Sequence, residues 1–272
     1  MTAWRRSSYP PPVDMHGLEG RRALVCGSTQ GIGRAAAVEL AARGAAVTLF
    51  ARDEAALERT RAELPGTGHA FRAADFHDNA AVGRAVRAEL DEHGPVHVLV
   101  NNTGGPPAGP IVDALPDAFL EAFRAHLVNN QILASAVIPG MKSAGYGRIV
   151  NIVSTSVREP IAGLGVSNTV RAAVAGWAKT LSGELARFGI TVNNVLPGYT
   201  KTSRLDAVIA ARAKASGHAP DVIAQEMLRQ VPAGRFAESW EVAAAIGFLA
   251  SPAGAYITGI SLPVDGGRIA SL

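Results

Sequence analysis

The chain has 272 residues, 48% of them hydrophobic, a formal net charge of +3 and a sequence pI ≈ 9.3. It is long enough to bury a large core, and its Lys and Arg residues are scattered, so nothing beyond the pI hints at nucleic acid. No apolar run approaches the roughly 18 residues of a membrane span; the single cysteine, Cys26, excludes an intrachain disulfide and fits a reducing, cytoplasmic setting.

Residues 1–18 read as a flexible arm: Arg5 and Arg6 are followed by Pro10, Pro11 and Pro12 with no apolar h-region, so a signal peptide is not expected. One domain is expected over 19–272. Strand-like apolar runs occupy 23–26, 46–51, 69–73, 96–100, 148–153, 191–196 and 260–264. Helix-length amphipathic segments at 32–43, 54–64, 80–93, 118–142, 171–187 and 240–250 separate them. Such alternation predicts βαβ units and a parallel sheet, and the nearly continuous apolar strands predict cover on both faces. The longest irregular stretch, about 202–234, reads as a lid-like insert, with a packed helical excursion as the alternative.

Gly27-Ser28-Thr29-Gln30-Gly31-Ile32-Gly33 falls between the first strand and the first helix. Glycines there let the backbone approach a pyrophosphate, and a helix N-terminus favours its charge. The spacing, G-x-x-x-G-x-G, differs from G-x-G-x-x-G, and three glycines alone also serve ordinary turns.

Further motifs follow in order: Asp75 after the third strand, Val100-Asn101-Asn102-Thr103-Gly104, Arg148 to Ser154, Pro197-Gly198 and Val264-Asp265-Gly266-Gly267. Together they resemble the short-chain dehydrogenase/reductase family, close to its ketoacyl-carrier-protein reductase type, from about Leu18 to Gly267. The resemblance implies an α/β fold: a Rossmann-type, doubly wound parallel sheet of seven strands in three αβα layers. It also implies a homodimer or homotetramer through helices 118–142 and 171–187. For a cofactor it implies that Gly27, Gly31, Ile32 and Gly33 line the pyrophosphate, with Ser28 and Gln30 in the same turn. Asp75 and Phe76 would hold adenine, Asn101 would brace the adenosine side, and Gly104 would lie against the cofactor. Pro197, Gly198 and Thr202 would flank the nicotinamide. Arg52, ending the second strand, matches a position that accepts a 2′-phosphate, so NADP is expected ahead of NAD; the adjacent Asp53 is expected to cap the next helix.

The family's catalytic set is Asn, Ser, Tyr and Lys. Ser154 matches the serine. In register, Ser167 stands where the tyrosine belongs, Arg171 where the lysine belongs, and His126 where the asparagine belongs, with Asn129 or Asn130 as an alternative for the last. A serine hydroxyl is shorter than a phenol and a far weaker acid. Arg171 could hold ribose hydroxyls but is a poor proton shuttle. Ser154, Ser167, Arg171, His126 and Tyr199 are therefore the catalytic candidates, the last two with ordinary structural roles as alternatives. Three functions stay open: an NADP(H)-dependent oxidoreductase acting on a carbonyl or hydroxyl of a small or acyl substrate, the same fold doing dehydration, isomerisation or cyclisation, or a non-catalytic nucleotide-binding subunit. No metal, nucleic-acid or membrane partner is expected. The loop Thr103-Gly104-Gly105-Pro106-Pro107 departs from the family's Asn-Asn-Ala-Gly and suggests a reshaped substrate side, or merely a rigid loop.

Overall fold

Seven apolar runs form the strands: β1 (Arg22–Cys26), β2 (Ala46–Ala51), β3 (Ala70–Ala73), β4 (Val98–Asn101), β5 (Gly147–Ile152), β6 (Ile190–Pro197) and β7 (Ser261–Val264). All pair in parallel in the order β3-β2-β1-β4-β5-β6-β7. The computed structural model describes Met15 and residues 17–271. Of the expected arm, residues 1–14 and 16 lie outside the described residues. The Met15 carbonyl accepts a hydrogen bond from Ala253 N at 2.9 Å, and Leu18 is buried in the core, so the domain already includes Leu18.

The helices between strands have readable boundaries. Helix α1 (Gly31–Ala42) follows the glycine turn. In α2 (Glu54–Ala62), Asp53 accepts from Ala56 N at 2.9 Å, the expected cap. In α3 (Asn79–His93), Asp78 caps in the same way. Pro116 opens α4 (Pro116–Phe123), where its missing N–H is harmless. The segment read as one helix over 118–142 is broken: a π-helical turn, Arg124–Val128, separates α4 from α5 (Asn129–Ala144). Such a turn keeps the apolar periodicity while shifting its phase, so periodicity alone does not betray it. Helix α6 (Gly165–Leu185) starts a turn and a half earlier than its apolar pattern suggests and thereby includes Ser167.

The 202–234 stretch is helical, not irregular. Thr202 caps α7 (Ser203–Ser216), and Pro220 opens α8 (Pro220–Leu228). The two helices share a small core of Leu205, Val208, Ala213, Ile223 and Met227. The last helix, α9 (Ser239–Ala250), begins with a Glu238/Glu241 capping box.

One core cluster joins the sheet to α1, α2 and α9; the other joins it to α3, α5 and α6. Neighbouring strands β1 and β4 are continued by helices on opposite faces, so their C-terminal ends open a crevice, the usual ligand position in an open α/β sheet. Among the described residues, no helix is long and apolar enough to cross a membrane.

Candidate active site

The crevice begins at the glycine turn. Gly27 and Gly31 hold φ of +58° and +53°, conformations that L side chains rarely adopt. A Cβ on Gly33 would strike the Gly27 carbonyl oxygen, and one on Gly27 would lie 2.6 Å from Asn102 Nδ2. Asn102 fixes the turn from β4's end by donating to the carbonyls of Cys26 (3.2 Å) and Gly27 (3.3 Å). Gln30, the N-cap of α1, makes no side-chain cap bond, and no acidic residue lies in the first helical turn. The leading N–H groups of a twelve-residue helix therefore face the crevice without an internal anion. This cradle fits a dinucleotide's pyrophosphate.

The other expected cofactor residues take varied positions. Ser28 is fully buried, and its Oγ accepts from Phe50 N at 3.0 Å, so its side chain ties β2 and does not enter the crevice. Thr29 and Gln30, beside it, are half-buried and exposed; sequence reasoning passes over Thr29, although its place in the turn marks it. Arg52 is exposed at the end of β2. Asp75 is exposed, with one oxygen accepting from His77 N at 2.9 Å. Phe76 stacks edge-on to Phe50, and its carbonyl accepts from Asn129.

Asn101 is buried and starts an amide chain across the strand tips: it donates to Asn151 (2.8 Å), which donates to Asn194 (2.9 Å), which donates to Ser261 (3.2 Å). The strand register places these residues side by side. Gly104 is exposed with nothing in front of it. Gly198 packs on Asp265 and donates to the Val264 carbonyl, which holds Pro197-Gly198 at the rim. The Thr202 methyl lies against Gly31, 3.1 Å from where a Cβ would sit, while its hydroxyl is used in capping α7. The insert is thus joined to the glycine turn.

The catalytic candidates divide. Ser154, half-buried at the end of β5, accepts from Ser156 N at 3.1 Å. Ser167 is buried on α6, one turn before Arg171. Arg171 donates from Nη1 to the Ile152 carbonyl at 2.8 Å, which fixes it beside β5's end, while its Nε is sealed from solvent without a partner. Burial, and secondarily the charge of Arg204, lowers the Arg171 pKa to about 10. His126, 4% exposed on the π-helical turn, hydrogen-bonds the Gly104 backbone. Burial, with Arg171 second, lowers its pKa to about 3, so it is neutral at ordinary pH.

Asn101, Asn130, His126 and Arg171 line a cavity of about 10 Å³, the room one water needs. Of the alternatives to His126, Asn129 points elsewhere: it bonds Phe76, Ala125 and Asn79. Tyr199 also belongs to another environment. Its hydroxyl donates to Gln230 at 3.1 Å and its ring packs on Phe236, in the core of the insert. The other described tyrosines are distant in role: Tyr146 donates to the Ala250 carbonyl, and Tyr256 is fully exposed.

A parallel doubly wound sheet with an uncapped, glycine-opened helix at its switch point defines a dinucleotide-binding α/β protein. Comparison with known proteins narrows this class. A family model described as Enoyl-(Acyl carrier protein) reductase matches residues 27–268. The chain is 34% identical over 250 residues to 3-oxoacyl-(acyl-carrier-protein) reductase FabG of Vibrio cholerae, covering 92% of this chain and 98% of that protein. Among solved structures, it resembles L-sorbose reductase from Gluconobacter frateurii complexed with NADPH and L-sorbose: TM-score 0.88, 28% identity, 95% of this chain and 100% of that one. It also resembles a point variant of actinorhodin polyketide ketoreductase with NADPH: TM-score 0.86, 32% identity, 91% and 97% coverage. The chain belongs to the short-chain dehydrogenase/reductase family and is an enzyme of that oxidoreductase family.

Proposed function

We propose that this protein is an NADPH-dependent reductase of a carbonyl group on a small, ketoacyl- or sugar-type substrate. The observation that carries the reading is the glycine turn at the uncapped N-terminus of α1, backed by Asn102. NADPH is favoured over NADH by exposed Arg52 at the end of β2 and by the NADPH bound in the two structural relatives. A bound nicotinamide would supply the hydride.

The residues of this chain would do the rest. Gly27, Gly31, Ile32 and Gly33 would receive the pyrophosphate, with Gln30 and Thr29 at its edge. Asp75 and Phe76 would border the adenine. Gly104, Pro197, Gly198 and Thr202 would border the nicotinamide, and Asn101 would stiffen the strand tips beneath. Ser154 would position the carbonyl oxygen. Arg171 would meet the negative charge that develops there, as a preorganised cation in a poorly hydrated site. Ser167 in place of a tyrosine leaves no phenolic acid; a water beside Ser154 and Ser167 would deliver the proton that balances the hydride. His126, held neutral, would orient the Gly104 loop and not titrate.

The reading is tested by following NADPH absorbance with a panel of β-keto esters, keto sugars and keto acids. Consumption with alcohol formed in equal amount supports it. NADPH binding without consumption on any of these favours non-redox chemistry, a second reading supported by the lack, among the described residues, of a tyrosine hydroxyl bonded to Ser154, Ser167 or Arg171. We also propose a homodimer or homotetramer. The exposed side chains of Val112 and Leu115, before α4, and of Leu120 within it support association, and light scattering tests it.

A further inference from the structure

The motif Val264-Asp265-Gly266-Gly267 ends β7 and leads into Arg268. Asp265 folds the chain that follows it: one carboxylate oxygen accepts from Gly267 N at 3.0 Å and the other from Ile269 N at 2.8 Å. Gly266 and Gly267 make the turn at φ of +65° and +84°, and the Gly266 carbonyl accepts from Ala233 N at 3.0 Å, so the turn is tied to the end of the insert. A second tie follows at once. Glu159 Oε1 accepts from Ala270 N at 2.8 Å and Ser271 N at 3.1 Å. Arg268 stands between the two ties.

Its side chain reaches the place where β5 and β6 part. Val153 N still donates to the Val195 carbonyl at 2.9 Å. Beyond it, β5 runs into Ser154 and the 3₁₀ turn Thr155–Val157, while β6 runs into Pro197-Gly198-Tyr199. Arg268 touches both branches. Its Nη1 donates to Thr155 Oγ1 at 3.2 Å, and its guanidinium carbon lies 4.7 Å from the centre of the Tyr199 ring, within reach of a cation–π contact. Thr155 is buried in the turn that Ser154 caps by accepting from Ser156 N. Tyr199 is anchored in the insert by Gln230 and Phe236. The Arg268 Nε is sealed from solvent and has no partner among the described residues. A methionine would fill the same space without that cost, so packing does not account for a guanidinium here; its two directed contacts do.

We infer that Arg268 is a positioning residue that bridges Ser154's turn to the Tyr199 segment and so fixes where the Ser154 hydroxyl stands relative to Pro197-Gly198. It touches Thr155 and not the reacting atoms, so it acts through the turn. Because Tyr199 belongs to the core of the insert, the same bridge couples the insert to Ser154. Misplacing a reacting group by about 1 Å costs up to roughly 100-fold in rate, so a loosened turn is read in kcat before it is read in cofactor affinity. The inference deepens the reductase reading and rests on it for the role of Ser154.

The test combines hydrogen exchange, followed by mass spectrometry, with steady-state kinetics on the full chain and its Arg268→Met, Arg268→Lys and Thr155→Val variants. In Arg268→Met, amides at 153–158 should exchange at least about 10-fold faster, while those at 23–42, in β1 and α1, stay as they are. On whichever keto compound the wild type reduces, Arg268→Met and Thr155→Val should each lower kcat by at least about 10-fold, with the Kd for NADPH moving less than about 2-fold. Arg268→Lys, which keeps a cation over Tyr199, should recover part of the loss. The double variant should be no slower than the slower single one, because both changes break one bridge. Should Arg268→Met fail to fold, Thr155→Val carries the exchange and kinetic comparison. Unchanged exchange at 153–158, a full kcat in folded Arg268→Met, or losses that multiply in the double variant overturns the inference. If the exchange contrast holds while the wild type reduces none of the keto compounds, the bridge stands and the reductase reading falls.

Discussion

Replacing Arg171 by methionine should make the cofactor-free protein more stable while weakening its ligand binding. The guanidinium is pushed down from 12.5 to about 10, so its charged form is disfavoured by about 3 kcal/mol relative to water. The hydrogen bond to the Ile152 carbonyl offsets about 1 kcal/mol of this. The side chain is not fully enclosed, which reduces the penalty further. A methionine of similar length removes the unpartnered Nε and the repulsion from Arg204. The net gain is about 1–2 kcal/mol, or a rise in Tm of roughly 2–8 °C for a domain of this size. Thermal unfolding followed by circular dichroism, without and with saturating NADPH, reads both effects. The wild type should gain about 3 kcal/mol at a hundredfold excess over its Kd; if Arg171 also holds the cofactor's ribose hydroxyls, as the sequence implies, the variant gains markedly less at the same concentration. A lower Tm without cofactor, together with an undiminished NADPH shift, would refute the idea that Arg171 is kept for ligand binding at the expense of stability.

His126 supplies a pH signature. Its folded pKa, about 3, lies below the unfolded value of 6.5, so the unfolded chain takes up the proton first. This contribution is complete above pH 6.5 and is lost as pH falls towards 3, by about 4–5 kcal/mol in all; denaturant titrations should find that His126→Asn flattens this part of the profile. Glu89 is buried and accepts from Thr48 (2.6 Å), Arg72 (3.0 Å) and His93 (3.1 Å) beneath β2 and β3. Glu89→Ala should cost about 3–5 kcal/mol in urea unfolding, since it strands partly buried cations, and should leave NADPH affinity of the folded fraction unchanged. If the missing phenol limits turnover, Ser167→Tyr with Arg171→Lys should raise kcat by about 10²–10⁴ on any substrate the wild type reduces; an unchanged kcat would mean that proton delivery is not limiting.

The sheet is almost wholly legible in the sequence, because parallel strands covered on both faces read as apolar runs. The strand at 46–51 is found at those bounds, and the others shift by one or two residues. The glycine turn is legible because its three glycines each meet a steric demand. The insert is not, although Thr202 caps α7 and Ala-rich 206–215 favours helix. Its apolar stripe is thin, with Leu205, Val208 and Ala213 buried, and it packs mainly on its own partner α8. Ser28 misleads because position in a turn does not reveal which way a side chain points. The Arg268 bridge is invisible for a different reason: it joins Thr155 and Tyr199, both far from it along the chain. Tyr199 suggests itself for the site by its place after Pro197-Gly198, yet its ring finds apolar partners in the insert.

The most direct test is a fluorescence titration of NADPH and NADH into the wild type and Gly33→Ala, whose methyl group would collide with the Gly27 carbonyl. Micromolar NADPH binding is expected, with weaker NADH binding, and at least about 10-fold loss in Gly33→Ala with its circular dichroism spectrum retained. No NADPH binding by the wild type at high micromolar concentrations, or full binding by folded Gly33→Ala, would contradict a cofactor cradle at this turn.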